Sequence, residues 1–160
     1  MMLSKIVSNI TPSATCQLEG TVAAMKAAGI DVVALNIGEP DYGTPILIKD
    51  ACKDALYAGK TTYVDTAGIP ELRKAICEKL KKDNGVDYDP KQICVSTGAK
   101  QALYNAVFAV TNPGDEVIIP TPSWVSYVEM VKMVGGIPVC VDTLPDNQLD
   151  LAAIAAAITD

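Results

Sequence analysis

The sequence predicts an α/β fold with a mainly parallel sheet, preceded by an N-terminal helical segment. Two observations predict it. From Gln92 onward the pattern runs strand, helix, strand, helix, strand, with apolar strands at Ile93–Val95, Val117–Ile119 and Ile137–Val141; all-apolar strands alternating with helices indicate a sheet covered on both faces. Ahead of Gln92 the pattern is helical, punctuated by Gly and Pro.

In chain order, Thr15 to Ala28 carries Leu18, Val22 and Met25 on one face and stops at Gly29. Val32 to Leu35 reads as a short strand running into the turn-rich Gly38-Glu39-Pro40-Asp41. Pro45 opens a helix to Ala58, closed by Gly59. Thr61 to Ile69 is a loop holding Tyr63 and Gly68, and Pro70 starts a helix with Leu72, Ala75, Ile76 and Leu80 facing inward. Asn112-Pro113-Gly114-Asp115 is the turn before the second apolar strand. The helix Trp124 to Val134 has only a thin polar stripe of Ser126, Glu129 and Lys132, which implies cover on most sides, and Gly135-Gly136 ends it. Asp150 reads as the N-cap of a last helix, Leu151 to Ile158.

Composition narrows the function. A chain of 160 residues can bury one sizeable core, and its 49% hydrophobic content argues against disorder. A net charge of -6 with no basic cluster argues against nucleic acid. No apolar stretch reaches membrane-spanning length, and Met1 to Ile10 lacks the pattern of a signal peptide. Cys16, Cys52, Cys77, Cys94 and Cys140 are scattered and histidine is absent, so no metal site is expected. Such cysteines read as core thiols in a reducing cytoplasm. Without histidine, acid–base work falls to Lys, Tyr, Cys or a carboxylate, or to a cofactor.

One junction points to chemistry. The strand ending at Val95 breaks at Ser96-Thr97-Gly98 and resumes as a helix with Ala102, Leu103, Ala106, Val107 and Val110 on its period. A strand turning sharply into a helix gathers backbone N–H groups and the positive dipole end at one spot, which attracts phosphate. Lys100 lies in the first helical turn, where a cation is disfavoured unless an anion sits nearby. On its own the same stretch also reads as an ordinary strand-to-helix turn.

A series of short stretches carries a family resemblance. They are Thr11-Pro12-Ser13-Ala14-Thr15, Asn36-Ile37-Gly38-Glu39-Pro40-Asp41, Lys60-Thr61-Thr62-Tyr63 and Ala67-Gly68-Ile69-Pro70-Glu71-Leu72-Arg73. Thr97-Gly98-Ala99-Lys100-Gln101-Ala102-Leu103, Asn112-Pro113-Gly114-Asp115-Glu116 and Pro122-Ser123-Trp124-Val125-Ser126-Tyr127 complete the series. Each alone is weak evidence; together and in this order they resemble the N-terminal part of a fold-type I, pyridoxal-phosphate-dependent class I aminotransferase of the aspartate aminotransferase group.

The resemblance implies a three-layer large domain with a mainly parallel sheet, incomplete in these 160 residues. Residues 1–44 would be an N-terminal arm and small-domain segment, and 45–160 the first part of the cofactor-binding domain. It implies that Gly98, Ala99 and Lys100 line the phosphate of pyridoxal 5'-phosphate, and that Trp124 stacks on its ring and borders the substrate. Tyr63 would reach the phosphate across a homodimer interface, and Gly38 would let the substrate carboxylate approach the backbone. Read without the family, Trp124 is a core residue, Tyr63 a surface aromatic, Gly38 a turn glycine, and Glu39 and Asp41 are loop carboxylates. The implied activity is transfer of an amino group between an amino acid and a 2-oxo acid.

The lysine that binds the cofactor covalently in this family matches no lysine here, so no catalytic residue is assigned and the 160 residues alone are expected to be inactive. A non-catalytic cofactor-binding or interaction module is the alternative. A dinucleotide-binding oxidoreductase is excluded, since no Gly-x-Gly-x-x-Gly follows a strand. In the family, strands from later sequence separate the first strand from the next two. The chain thus reads as a truncated product or fragment, expected to aggregate or fold partly when expressed alone.

Overall fold

A computed structural model describes residues 3–159. Nine regular elements carry the description: α1 (Lys5–Ser8), α2 (Ala14–Ala27), α3 (Ile46–Tyr57), α4 (Pro70–Lys79), α5 (Gly98–Val110), β1 (Glu116–Thr121), α6 (Ser126–Met133), β2 (Ile137–Asp142) and α7 (Leu151–Ala156). A π-helical turn, Leu80–Asn84, extends α4, and a 3-10 turn spans Pro90–Gln92. By packing the chain divides into two units, Met1–Gly38 with Leu103–Asp160, and Glu39–Ala102.

In the first unit β1 and β2 pair in parallel, with Glu116 opposite Ile137 and Thr121 opposite Asp142. Parallel neighbours need a crossover, and α6 supplies it. The turn entering β1 closes as its residue types require: Asn112 N donates to Asp115 Oδ2 at 2.7 Å, and Asp115 N to Asn112 O at 3.0 Å. Ile119 of β1 packs with Met130, Val131 and Val134 from α6 and its end, and these are the buried apolar side chains among the described residues. Asp150 caps α7, its Oδ1 accepting from Ala152 N and Ala153 N at 3.0 and 2.9 Å.

In the second unit Pro45 precedes α3 and the chain leaves it through Gly59, while Pro70 occupies the first turn of α4. Helix termini thus follow the Pro and Gly signals to within a residue or two.

Three expectations fail. Ile93–Val95 is not a strand. Ile93 has extended dihedrals (φ -101°, ψ 127°), but the backbone bond recorded for Val95 N runs to a loop carbonyl, Ala67 O, at 2.9 Å; extended backbone becomes a strand only when a neighbour pairs with it. Val32–Leu35 also joins no ladder, and Val33 and Leu35 are 82% and 90% exposed. The cysteines are not core thiols: all are free, Cys77 is half-buried, and Cys16, Cys52, Cys94 and Cys140 are exposed. The α6 and α4 readings hold only in part. Tyr127 and Met133 of α6 remain exposed, as does Leu72 of α4. In each case the residue type suits an interior, but no second layer lies against it among the described residues.

The surface area states the same fact in aggregate. The chain exposes 12795 Å², whereas a folded monomer of its mass exposes roughly 7,700 Å². The 160 residues expressed alone should therefore show no cooperative thermal transition, with amide protection strongest in β1, α6 and β2. Calorimetry and hydrogen exchange check this; a sharp transition of soluble monomer would contradict it.

Candidate functional site

In the unit Glu39–Ala102, the junction before α5 is built from local rules. Gly98, the first residue of the helix, has φ 78°, a left-handed conformation that costs a residue with a Cβ about 1–2 kcal/mol. A Cβ there would meet no atom within 4 Å, so the backbone at this turn faces open space. Gly98 N donates to Ser96 O at 2.9 Å, closing the reversal, and Thr97 N donates to the Gln101 carboxamide oxygen. A neutral side-chain acceptor therefore already sits over the amide just before the helix. Helix α5 runs for 13 residues beyond the turn, long enough for its dipole to favour an anion at the start. Ala99 and Lys100 complete that first turn on an exposed surface. Tyr63, in the same unit, is fully exposed in the 61–69 loop.

Trp124 lies in the other unit, just past the carboxyl end of β1, and Tyr127 N donates to its carbonyl at 3.1 Å. Its indole meets the Tyr127 ring edge-to-face, with centroids 5.5 Å apart at 89°, and stays 40% exposed. A core tryptophan would be covered, so the packing reading of Trp124 does not hold. Thr121 Oγ1 donates to Asp142 Oδ1 at 2.7 Å, tying β1 to β2 at that same end. Gly38 is exposed in an irregular segment. The structure thus brings Gly98, Ala99 and Lys100 together in one unit that also holds Tyr63, and it sets Gly38 and Trp124 in the other.

A cavity of about 880 Å³ opens beside Gly114, Glu116, Ile137 and Ile158, at the amino ends of the strands. Ligands of open α/β sheets bind at carboxyl ends, so this cavity is not the candidate site. Nearer Trp124, a cleft of about 360 Å³ is bounded by Thr11, Ser13, Val125, Ser126 and Glu129.

Glu129 lines that cleft, and its role was not foreseen from the sequence. Its Oε2 accepts from Thr11 N at 3.0 Å and its Oε1 from Lys132 Nζ at 2.9 Å. Burial pushes its carboxyl up, but the hydrogen bonds from Lys132 and Thr11 and the Lys132 charge outweigh burial and hold it below the ordinary value. The i,i+3 spacing to Lys132 was visible in the sequence; the link to Thr11, 118 positions away, had no local signal. Gln101 was likewise missed, although its place one turn after Thr97 fits a side chain folding back onto a helix start.

A carboxyl whose pKa is lower folded than unfolded stabilises the fold above its unfolded value and loses that contribution as pH falls through the folded one. Acidification below the ordinary range, about 4.3 for Glu, should therefore release the Thr11 segment. Hydrogen exchange at the Thr11 amide should rise there in the native chain and show no such step in Glu129→Gln. An identical pH profile in both would contradict the assignment.

Residues 30–160 match the family model for aminotransferase class I and II. The chain is similar to the aspartate/prephenate aminotransferase of Cereibacter sphaeroides, 52% identical over 139 residues that cover 87% of this chain and 35% of that protein. It is also similar to the aspartate aminotransferase of Bacillus sp. YM-2, 44% identical over 161 residues, covering 99% and 41% respectively. Among solved structures, aspartate aminotransferase from Thermus thermophilus with maleate aligns at a TM-score of 0.92 and 45% identity, covering 99% of this chain and 42% of that one. The chain spans 35% to 42% of the length of these relatives.

Proposed function

Since the chain belongs to the class I and II aminotransferases, we propose that it is the pyridoxal-phosphate-binding part of an enzyme that moves an amino group between an amino acid and a 2-oxo acid. The observation that carries this reading is the family match over residues 30–160, which includes every assigned site residue. The names of the relatives support aspartate as an amino-group donor.

The residues present fit the cofactor. The left-handed Gly98 leaves open space where a phosphate would lie, α5 directs its positive dipole end there, and Lys100 adds a cation. The Gln101 carboxamide can yield its place on Thr97 N to a charged oxygen, which makes the stronger hydrogen bond. Trp124 keeps enough indole exposed to lie against an aromatic ring. When bound, pyridoxal phosphate supplies the electron sink for breaking the bond to the amino-acid α-carbon.

The chain's own part is to bind and orient. Gly98, Ala99 and Lys100 hold the phosphate. Trp124 fixes the ring plane and borders the substrate. Gly38 admits the substrate carboxylate close to the backbone. Tyr63, exposed and without a packing role, reaches the phosphate of a second copy in a homodimer. Residues 1–44 serve as arm and small-domain segment and 45–160 as the beginning of the cofactor domain. The covalent lysine belongs to none of these positions. No helix of the described residues is long and apolar enough to cross a membrane, and a cytoplasmic setting suits the free thiols.

Equilibrium titration with pyridoxal phosphate and with phosphate-free pyridoxal, read by Trp124 emission, tests the reading. Pyridoxal phosphate should bind the tighter, and Gly98→Val should remove that preference. Borohydride treatment of the loaded 160-residue chain should label no single lysine; stoichiometric labelling at one internal lysine would contradict the site assignment.

A further inference from the structure

Within the unit Glu39–Ala102, one ion pair stands apart from the surface pairs. Arg73 Nη2 on α4 donates to Asp65 Oδ2 at 3.0 Å. The second carboxylate oxygen, Oδ1, accepts from Ala67 N at 3.1 Å, and the Asp65 carbonyl accepts from Gly68 N at 2.9 Å. Asp65 therefore uses both side-chain oxygens and its backbone oxygen to shape residues 65–68.

That short turn bears directly on the segment leading to α5. Ala67 O accepts from Val95 N at 2.9 Å. Gly68 lies so close to Val95 that a Cβ built on it would stand 2.6 Å from Val95 Cγ2, and its φ of 103° suits glycine alone. Val95 is the last apolar residue before the Ser96-Thr97-Gly98 reversal. A continuous set of contacts thus runs from the Arg73 guanidinium through Asp65, Ala67 and Gly68 to Val95, and so to the amides of the α5 start.

The Arg73 side chain is only 16% exposed, and its Nε is buried with no hydrogen-bond partner. Leaving a donor unsatisfied costs free energy. The other pairs of this unit, Lys53 with Asp50, Lys74 with Glu78 and Lys81 with Asp87, are exposed on both sides and contribute little. A half-satisfied, largely buried guanidinium is a poor device for stability and a good one for fixed geometry.

We propose that Asp65 and Arg73 are positioning residues that hold the Ser96–Lys100 turn in register for the cofactor phosphate, an inference that rests on the phosphate-binding reading above. They touch neither phosphate nor substrate in this role; they act through the 65–68 turn and Val95.

The test compares affinities for pyridoxal phosphate, inorganic phosphate and phosphate-free pyridoxal, measured by equilibrium dialysis on the protein as its source makes it. Asp65→Asn and Arg73→Gln should each weaken pyridoxal phosphate and inorganic phosphate about 2- to 140-fold, the span of coupling energies for residues in one hydrogen-bond and salt-bridge network, and leave pyridoxal unchanged. The double variant should be no weaker than the single ones. Arg73→Lys, which keeps a cation but not the guanidinium's Nη2 placement on Asp65, should give the same selective loss and serves if either neutral variant fails to fold. A lowered melting temperature with an unchanged ratio of pyridoxal phosphate to pyridoxal affinity would overturn the proposal, as would additive losses in the double variant. If the unsubstituted protein shows no preference for pyridoxal phosphate over pyridoxal, the phosphate reading itself fails; if it shows that preference and Asp65→Asn keeps it, only the positioning role fails.

Discussion

The left-handed backbone at Gly98 is the constraint on which the proposed phosphate site depends. It lets the segment ending at Val95 reverse into α5 within three residues, so that first-turn amides, a helix dipole and the Lys100 ammonium collect at one exposed place. A residue with a Cβ would be strained there for reasons of local sterics, not of packing, since no atom lies near enough to clash. Gln101 and Ser96 then accept from the amides of Thr97 and Gly98 and keep the turn closed. The local geometry is complete without any partner strand, which is why it forms although Ile93–Val95 joins no sheet.

What could be read from the sequence divides along the same line between local and non-local physics. Pro45, Gly59, Pro70 and Asp150 mark helix ends by backbone chemistry confined to a few residues, and the helices end near them. The Asn112–Asp115 turn and the β1–α6–β2 crossover were legible for the same reason. Ile93–Val95 and Val32–Leu35 were misread because apolar residues show an appetite for burial and cannot show whether a neighbour will supply it. The four exposed cysteines repeat that error. At the candidate site, Gly98 announced itself by its position between strand-like and helical periods. Glu129 with Thr11, and Arg73 with Asp65, join positions that no periodicity connects.

The distribution of burial also bears on function. Ile119, Met130, Val131 and Val134 form a small apolar centre around β1 and α6, immediately before and after the stretch that bears Trp124. Thr121 with Asp142 pins the carboxyl ends of both strands, and Glu129 pins the N-terminal segment to α6. Trp124 is therefore presented from the best-packed part of its unit, with an exposed indole on a firm base. Tyr63 and Gly38, by contrast, lie in irregular, exposed segments.

Amide proton–nitrogen spectra recorded with and without pyridoxal phosphate test whether the α5 start holds the phosphate. Phosphate bound at the α5 start should move the backbone resonances of Thr97 to Gln101 on addition of the phosphorylated ligand, with the Trp124 indole responding in the same titration. Resonances that stay fixed at the α5 start while others shift, for instance around Gly114 and Ile137, would contradict it.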